Sequence, residues 1–283
     1  MLLDALLDTL LDSLKLLPFL FAAYLFIEWL EHKAGKRFES FLQRSGRLGP
    51  LIGGALGMVP QCGFSVLCAN FYAGRIVSMG TVVAVMLATS DEALPLLLAE
   101  GGHSGQILML LGAKFVIGVV TGFIVDLACR GRREQPVSGH ELCEHCGCEG
   151  HEGFVRGILL PALRHVASIM LFIFLVTLAL NVAVELIGKE SFAALLGADT
   201  IFQPVIAAVF GFIPNCAASV VITELYISGG ISFGSAVAGL CTGAGAGMLM
   251  LFKANKNLKE NFIIAGILFA AACISGIVLQ LIM

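Results

Sequence analysis

Eight apolar runs, each of bilayer-crossing length, recur along this chain at 14–30, 48–73, 78–98, 106–128, 158–184, 201–227, 232–252 and 260–282. A hydrocarbon core takes roughly 20 apolar residues as a helix. Inside it every backbone N–H and C=O must be satisfied without water. Together these requirements point to an all-α integral membrane protein. Composition agrees, because 58% of the 283 residues are hydrophobic and only 13% are charged, about half the charge of an average soluble domain. The first run follows Asp4, Asp8 and Asp12 instead of a basic region, and no small-residue cleavage site comes after it. That helix is therefore expected to stay in the mature protein. A net charge of -3 gives no basis for a nucleic-acid partner.

The chain also repeats itself. A shift of 154 positions, the separation of Pro50 from Pro204, lays GMVPQCGFSVLCANFYAGRIVSMGTVVAV over GFIPNCAASVVITELYISGGISFGSAVAG without a gap. It matches Gly57 with Gly211, Pro60 with Pro214, Cys62 with Cys216, Ser65 with Ser219, Tyr72 with Tyr226, Ser78 with Ser232 and Gly80 with Gly234. Gln61 and Asn215 form an amide pair.

Positive residues orient the runs. Lys33, Lys36, Arg37, Arg44 and Arg47, then Arg75, then Arg130, Arg132, Arg133 and Arg156, and finally Lys253, Lys256 and Lys259 mark segments expected to be cytoplasmic. Segments 187–200 and 228–231 carry Lys189 as their one positive residue and should face outward. These assignments agree only if each run containing Pro60 or Pro214 enters and leaves on the same side, as a helical hairpin or two short spans. The expected organisation is a first five-segment membrane repeat at 1–128, a cytoplasmic linker at 129–156, and a second, inverted repeat at 157–283, with both termini outside a bacterial-type inner membrane. Inverted repeats with broken helices are the pattern of secondary transporters.

Three tracts could carry the chemistry. The hairpin turns place Gln61, Cys62 and Ser65, and Asn215, Cys216 and Ser219, near the expected midplane, where proline frees a carbonyl and a helix start presents N–H groups. Small residues there would also serve close packing of the hairpin arms. Next, Ser90, Asp91 and Glu92 follow Thr89 around the middle of the run 78–98; carboxylates at that depth are costly and usually functional. In a regular helix Asp91 and Glu92 stand about 100° apart, so one of them, Asp91, is expected to face the site. The tract related by the shift begins at Thr242 and is rich in glycine. Lys114, in the following run, is the candidate partner of the carboxylates, as a neutralising pair or a proton relay.

The third tract is the linker SGHELCEHCGCEGHEG, where His140, Cys143, His145, Cys146, Cys148 and His151 fall within twelve positions. Thiolate and imidazole at that density suit zinc, copper(I) or a metalloid. Transport itself needs no cofactor, while this loop is expected to hold a metal ion that it senses, delivers or buffers. No Walker-type phosphate loop, HExxH helix or nucleophile elbow occurs, so neither direct ATP use nor an enzyme is expected.

The paired GMVPQCGFS and GFIPNCAAS turns, the ATSDEALPLLL segment, the Cys/His-rich loop and CTGAGAGMLMLFKANKN together resemble the ten-transmembrane heavy-metal exporter family, whose members are labelled arsenic efflux proteins or manganese transporters. The resemblance covers nearly the whole chain. It implies export of a metal or metalloid ion across a lipid bilayer; the sequence also allows a homo-oligomer. Oxygen ligands around Asp91 and Glu92 would favour manganese; Cys62 and Cys216 would favour zinc or arsenite. An organic-anion transporter of the same fold and a membrane-anchored metal sensor are the alternatives.

Overall fold

The computed structural model of the chain describes residues 21, 48–59, 62–89, 93–94, 97, 104–129, 163, 167, 171, 174–175, 178, 201–214 and 216–282. Its elements in chain order are α1 (Gly49–Gly57), α2 (Cys62–Ala73), α3 (Met79–Ala88), α4 (Ser104–Ala128), α5 (Gln203–Gly211), α6 (Cys216–Ile227), α7 (Phe233–Thr242), α8 (Gly245–Ala254) and α9 (Leu258–Ile282). Among the described residues there is no strand.

The bounds follow the 154-residue shift. α1 and α5, α2 and α6, α3 and α7, and α4 and α9 start and stop at corresponding residues, because the same local signals occur twice. Pro50 and Pro204 open α1 and α5 in the first turn, where a missing N–H costs nothing. Ser78 and Ser232 cap α3 and α7, each hydroxyl accepting from the N–H three residues on. Such caps are worth about 1 kcal/mol each. α2 and α6 end in the same turn: Ile76 N–H donates to Phe71 O at 2.8 Å and Gly230 N–H to Leu225 O at 2.7 Å. The turn requires a left-handed residue, supplied by Arg75 at φ 57° and Gly229 at φ 75°.

The helices are interrupted where proline stands and also where it does not. The chain leaves helix between Gly57 and Cys62 and between Gly211 and Cys216, the intervals that contain Pro60 and Pro214. α3 also stops at Ala88, with Thr89 at φ -58°, ψ 129°. α7 stops at Thr242, and Gly243 takes φ -71°, ψ 58° before α8 begins. The run 78–98 is thus no regular helix. Asp91 and Glu92, which the 100° argument separated, lie outside the described residues.

Small residues set the packing. α3 and α4 cross antiparallel: Gly80 lies against Gly122, and a Cβ on Gly118 would stand 2.8 Å from Ala84 O. Around Gly122 an added Cβ would meet Pro50 Cβ at 2.9 Å and Ala84 Cβ at 3.0 Å; around Gly276 it would meet Pro204 Cβ at 2.9 Å and Ala238 Cβ at 2.6 Å. These are one contact set, built twice. α1 lies parallel to α3, with Gly53 on Val85 and Gly57 on Ala88. α1 packs on α3 and α4, whereas α2 packs chiefly on α8. The described arms of the first hairpin therefore pack mainly on other helices and little on each other.

α3 and α7 are almost wholly buried. Among the described helices α4 and α9 lie outermost, exposing Leu108, Val116, Val120, Ile124 and Leu127 on one and Phe262, Ile274, Val278 and Leu281 on the other. Apolar faces of that extent need a partner other than water. Gly105–Ala128, Phe233–Ala254 and Leu258–Ile282 are long and apolar enough to cross a membrane.

Candidate functional site

Lys114 lies on α4 with no solvent-accessible surface. Its Nζ donates to Thr89 O and, at 2.9 Å, to Leu240 O. Thr89 is the residue after α3, and Leu240 is in the last turn of α7. The final carbonyls of a helix have no partner in their own helix and carry the negative end of its dipole. One ammonium therefore meets the carboxyl ends of two interrupted helices, one from each half of the chain. At the corresponding position of α9 stands Leu268, equally buried.

Three of the expected site hydroxyls lie among the described residues. Ser65, in the second turn of α2, is fully buried, and a Cβ on Gly247 of α8 would stand 2.6 Å from its own Cβ. The glycine-rich tract thus lets α2 approach α8 closely. Ser219, at the matching position of α6, is half-buried, and its carbonyl accepts from Thr223 Oγ1 at 2.7 Å. Thr242 is buried, and its hydroxyl donates to Ala208 O at 2.8 Å, fastening α7 to α5. Cys62 and Cys216 are the first residues of α2 and α6. Gln61, Ser90, Asp91, Glu92, Asn215 and the loop set His140, Cys143, His145, Cys146, Cys148 and His151 lie outside the described residues.

Sequence reasoning missed a second polar assembly. Arg75 Nη1 donates to Glu260 Oε2 at 2.7 Å and Nη2 to Oε1 at 3.3 Å. Tyr72 OH donates to Glu260 Oε2 at 3.0 Å, and Asn255 Nδ2 reaches the same oxygen at 3.4 Å. Asn255 Nδ2 also donates to Asn261 Oδ1 at 2.8 Å, and Asn261 Nδ2 donates back to Asn255 O at 2.9 Å. The signal available was the repeat itself, since Gly229 marks a left-handed turn that Arg75 had to share.

Two further groups hold the start of a buried helix. Asp126 accepts from Ser78 Oγ at 2.8 Å and from Gly80 N–H at 2.9 Å. In the second half Gln203 Oε1 accepts from Ser235 Oγ at 2.8 Å and Ser232 N–H at 3.1 Å. The two halves meet the same need from different helices, α4 in one and α5 in the other.

A broken-helix assembly with polar groups at the breaks and apolar outer helices is the architecture of a transporter, and the comparison with known families agrees. The model of the family described as "Putative, 10TM heavy-metal exporter" matches residues 1–158 and 162–283. The chain belongs to this family. No curated protein and no solved structure matches it. Membership makes the chain a multi-pass membrane protein of a transporter family, not of an enzyme family. Among the described residues no three His, Cys, Asp or Glu side chains gather as a metal would require.

Proposed function

We propose that this chain is a secondary transporter that exports a heavy-metal or metalloid ion through a central site where the interrupted helices meet. The observation that carries this reading is the convergence of the α3 and α7 carboxyl ends on Lys114. A lysine at membrane depth costs about 3 kcal/mol. It is retained there for a charge that can be moved or balanced. Asp91 and Glu92, two and three residues beyond Thr89, are the proposed coupling carboxylates with Lys114. Gln61, Cys62, Ser65, Ser90, Asn215, Cys216, Ser219 and Thr242 are the proposed cargo surroundings.

The two repeats are read as inverted. α2 follows α8 in one direction, with Ser65 beside Gly247 and, farther along, Tyr72 beside Glu260. α2 turns back into α3 within 74–78, while α8 continues α7. α3 and α7 then point toward one another, as halves of opposite direction would. The turns bearing Arg75 and Lys253 to Lys259 lie together, in keeping with one cytoplasmic side of a bacterial-type inner membrane.

Lys114 also favours a second reading, an organic anion as cargo, because it brings positive charge to the centre. Elemental analysis separates the two. Cells expressing the wild type, a Cys62→Ser/Cys216→Ser pair and an Asp91→Asn/Glu92→Gln pair are supplied with manganese, zinc and arsenite in turn. Lower accumulation of one element in the wild type, restored in either mutant, supports the metal reading. Unchanged accumulation of all three moves the organic anion to first place.

A further inference from the structure

The assembly of Tyr72, Arg75, Asn255 and Glu260 joins the turn after α2, in the first half, to the turn between α8 and α9, in the second. Both sides are stiffened. Glu260 stands in the first turn of α9, where a carboxylate is favoured by the helix start, and the Asn255 and Asn261 side chains brace the turn behind it. Arg75 is held in the left-handed region, where non-glycine residues are strained. Its guanidinium also lies 5.4 Å from the Tyr72 ring centroid. With side-chain exposures of 18% and 16%, the ion pair is largely withdrawn from water and forks onto both carboxylate oxygens, the geometry in which such pairs are strong.

The two residues of this pair are not repeated at the corresponding positions of the sequence. The shift carries Tyr72 to Tyr226, Arg75 to Gly229 and Glu260 back to Gln106, so the guanidinium is replaced by hydrogen and the carboxylate by an exposed amide. Since the backbone of the two turns is the same, a side chain with no conformational reason to be there occupies position 75. A strained residue that persists beside an unstrained counterpart marks a functional constraint.

We propose that Arg75 and Glu260 form a one-sided latch between the two repeats. It closes the transporter at the end where these turns lie, and it must open whenever the central site faces that end. This rests on the transporter reading above, and under its topology the latch is cytoplasmic.

Hydrogen–deuterium exchange of the full chain in lipid nanodiscs, without added metal, tests it. Arg75→Gly copies the opposite turn, relieves the strained backbone and removes the guanidinium. It should speed exchange in 72–78 and 253–262 by about tenfold and leave α3 and α7 protected. Glu260→Gln should do the same, and the exchanged pair Arg75→Glu/Glu260→Arg should recover part of the protection, since an arginine at position 260 cannot accept from Tyr72 or Asn255. Unchanged exchange in both turns would overturn the latch, and so would a loss of protection spread evenly over α3, α7 and α9. The exchange result does not depend on cargo. A latch that opens as expected in a protein that moves no metal would remove the metal reading and leave the latch standing.

Discussion

Gly247 on α8 leaves room for Ser65 on α2, such that a Cβ at 247 would lie 2.7 Å from the serine hydroxyl. Here one half of the chain rests directly on the other. Gly247→Ala should therefore push α2 away from α8, destabilising the protein by about 1–3 kcal/mol, as overpacking does. The expected result is a lower thermal midpoint in detergent together with reduced transport. An unchanged midpoint would show that α2 yields freely.

Four glycines allow a paired comparison. Gly80 and Gly234 have Gly122 O and Gly276 O in the space a Cβ would need, whereas Gly105 and Gly112 have nothing within 4 Å. Alanine at 80 or 234 should lower the midpoint strongly. Alanine at 105 or 112 should be neutral, or raise stability by up to about 1 kcal/mol through helix propensity.

Replacing Lys114 by Leu makes position 114 a copy of position 268. The side chain is fully buried in both helices, so the variant should fold, although Thr89 O and Leu240 O lose a donor at a cost of about 1–3 kcal/mol. Transport is expected to fall at least about tenfold in a vesicle uptake assay, with little change in the amount of folded protein recovered. Near-normal transport would reduce Lys114 to a fastener of α3 and α7.

Asp126→Asn keeps the side-chain shape but removes the charge and one of the two accepting oxygens. It should cost about 1 kcal/mol, the scale of a helix-start interaction, and Gln203→Ala should cost a similar amount in the second half. Each is read as a shift in thermal midpoint. Because Asp126 and Gln203 hold different helices, the double mutant is expected to add the two losses.

Much of this fold was legible wherever the chain states a rule twice. Pro50, Ser78 and Gly80 recur at Pro204, Ser232 and Gly234, and each pair performs the same steric or capping task. The helix ends follow to the residue. The breaks after Ala88 and Thr242 were hidden, because no proline stands there. At Thr89 the carbonyl is taken by a lysine 25 residues away, which no local pattern reveals. Lys114 itself was visible as an ionisable residue in an apolar run, but its contact with Leu240 crosses from one half to the other and depends on packing. Glu260 looked like an ordinary first-turn carboxylate, and only the tertiary fold brings Arg75 to it. The repeat was most informative where it failed to repeat. Lys114 against Leu268, and Arg75 against Gly229, are the positions where the two halves have taken separate roles.

The two outer helices, α4 and α9, have 25 residues each, a length of about 37 Å at 1.5 Å per residue. A typical hydrocarbon core is about 30 Å thick, so both must lean or stretch the lipid around them. They flank the central pair on corresponding faces, and a change in membrane thickness would tilt both together. The angle between the halves is thereby tied to the bilayer, and reconstituted activity should vary with acyl-chain length even when nothing in the central site is altered.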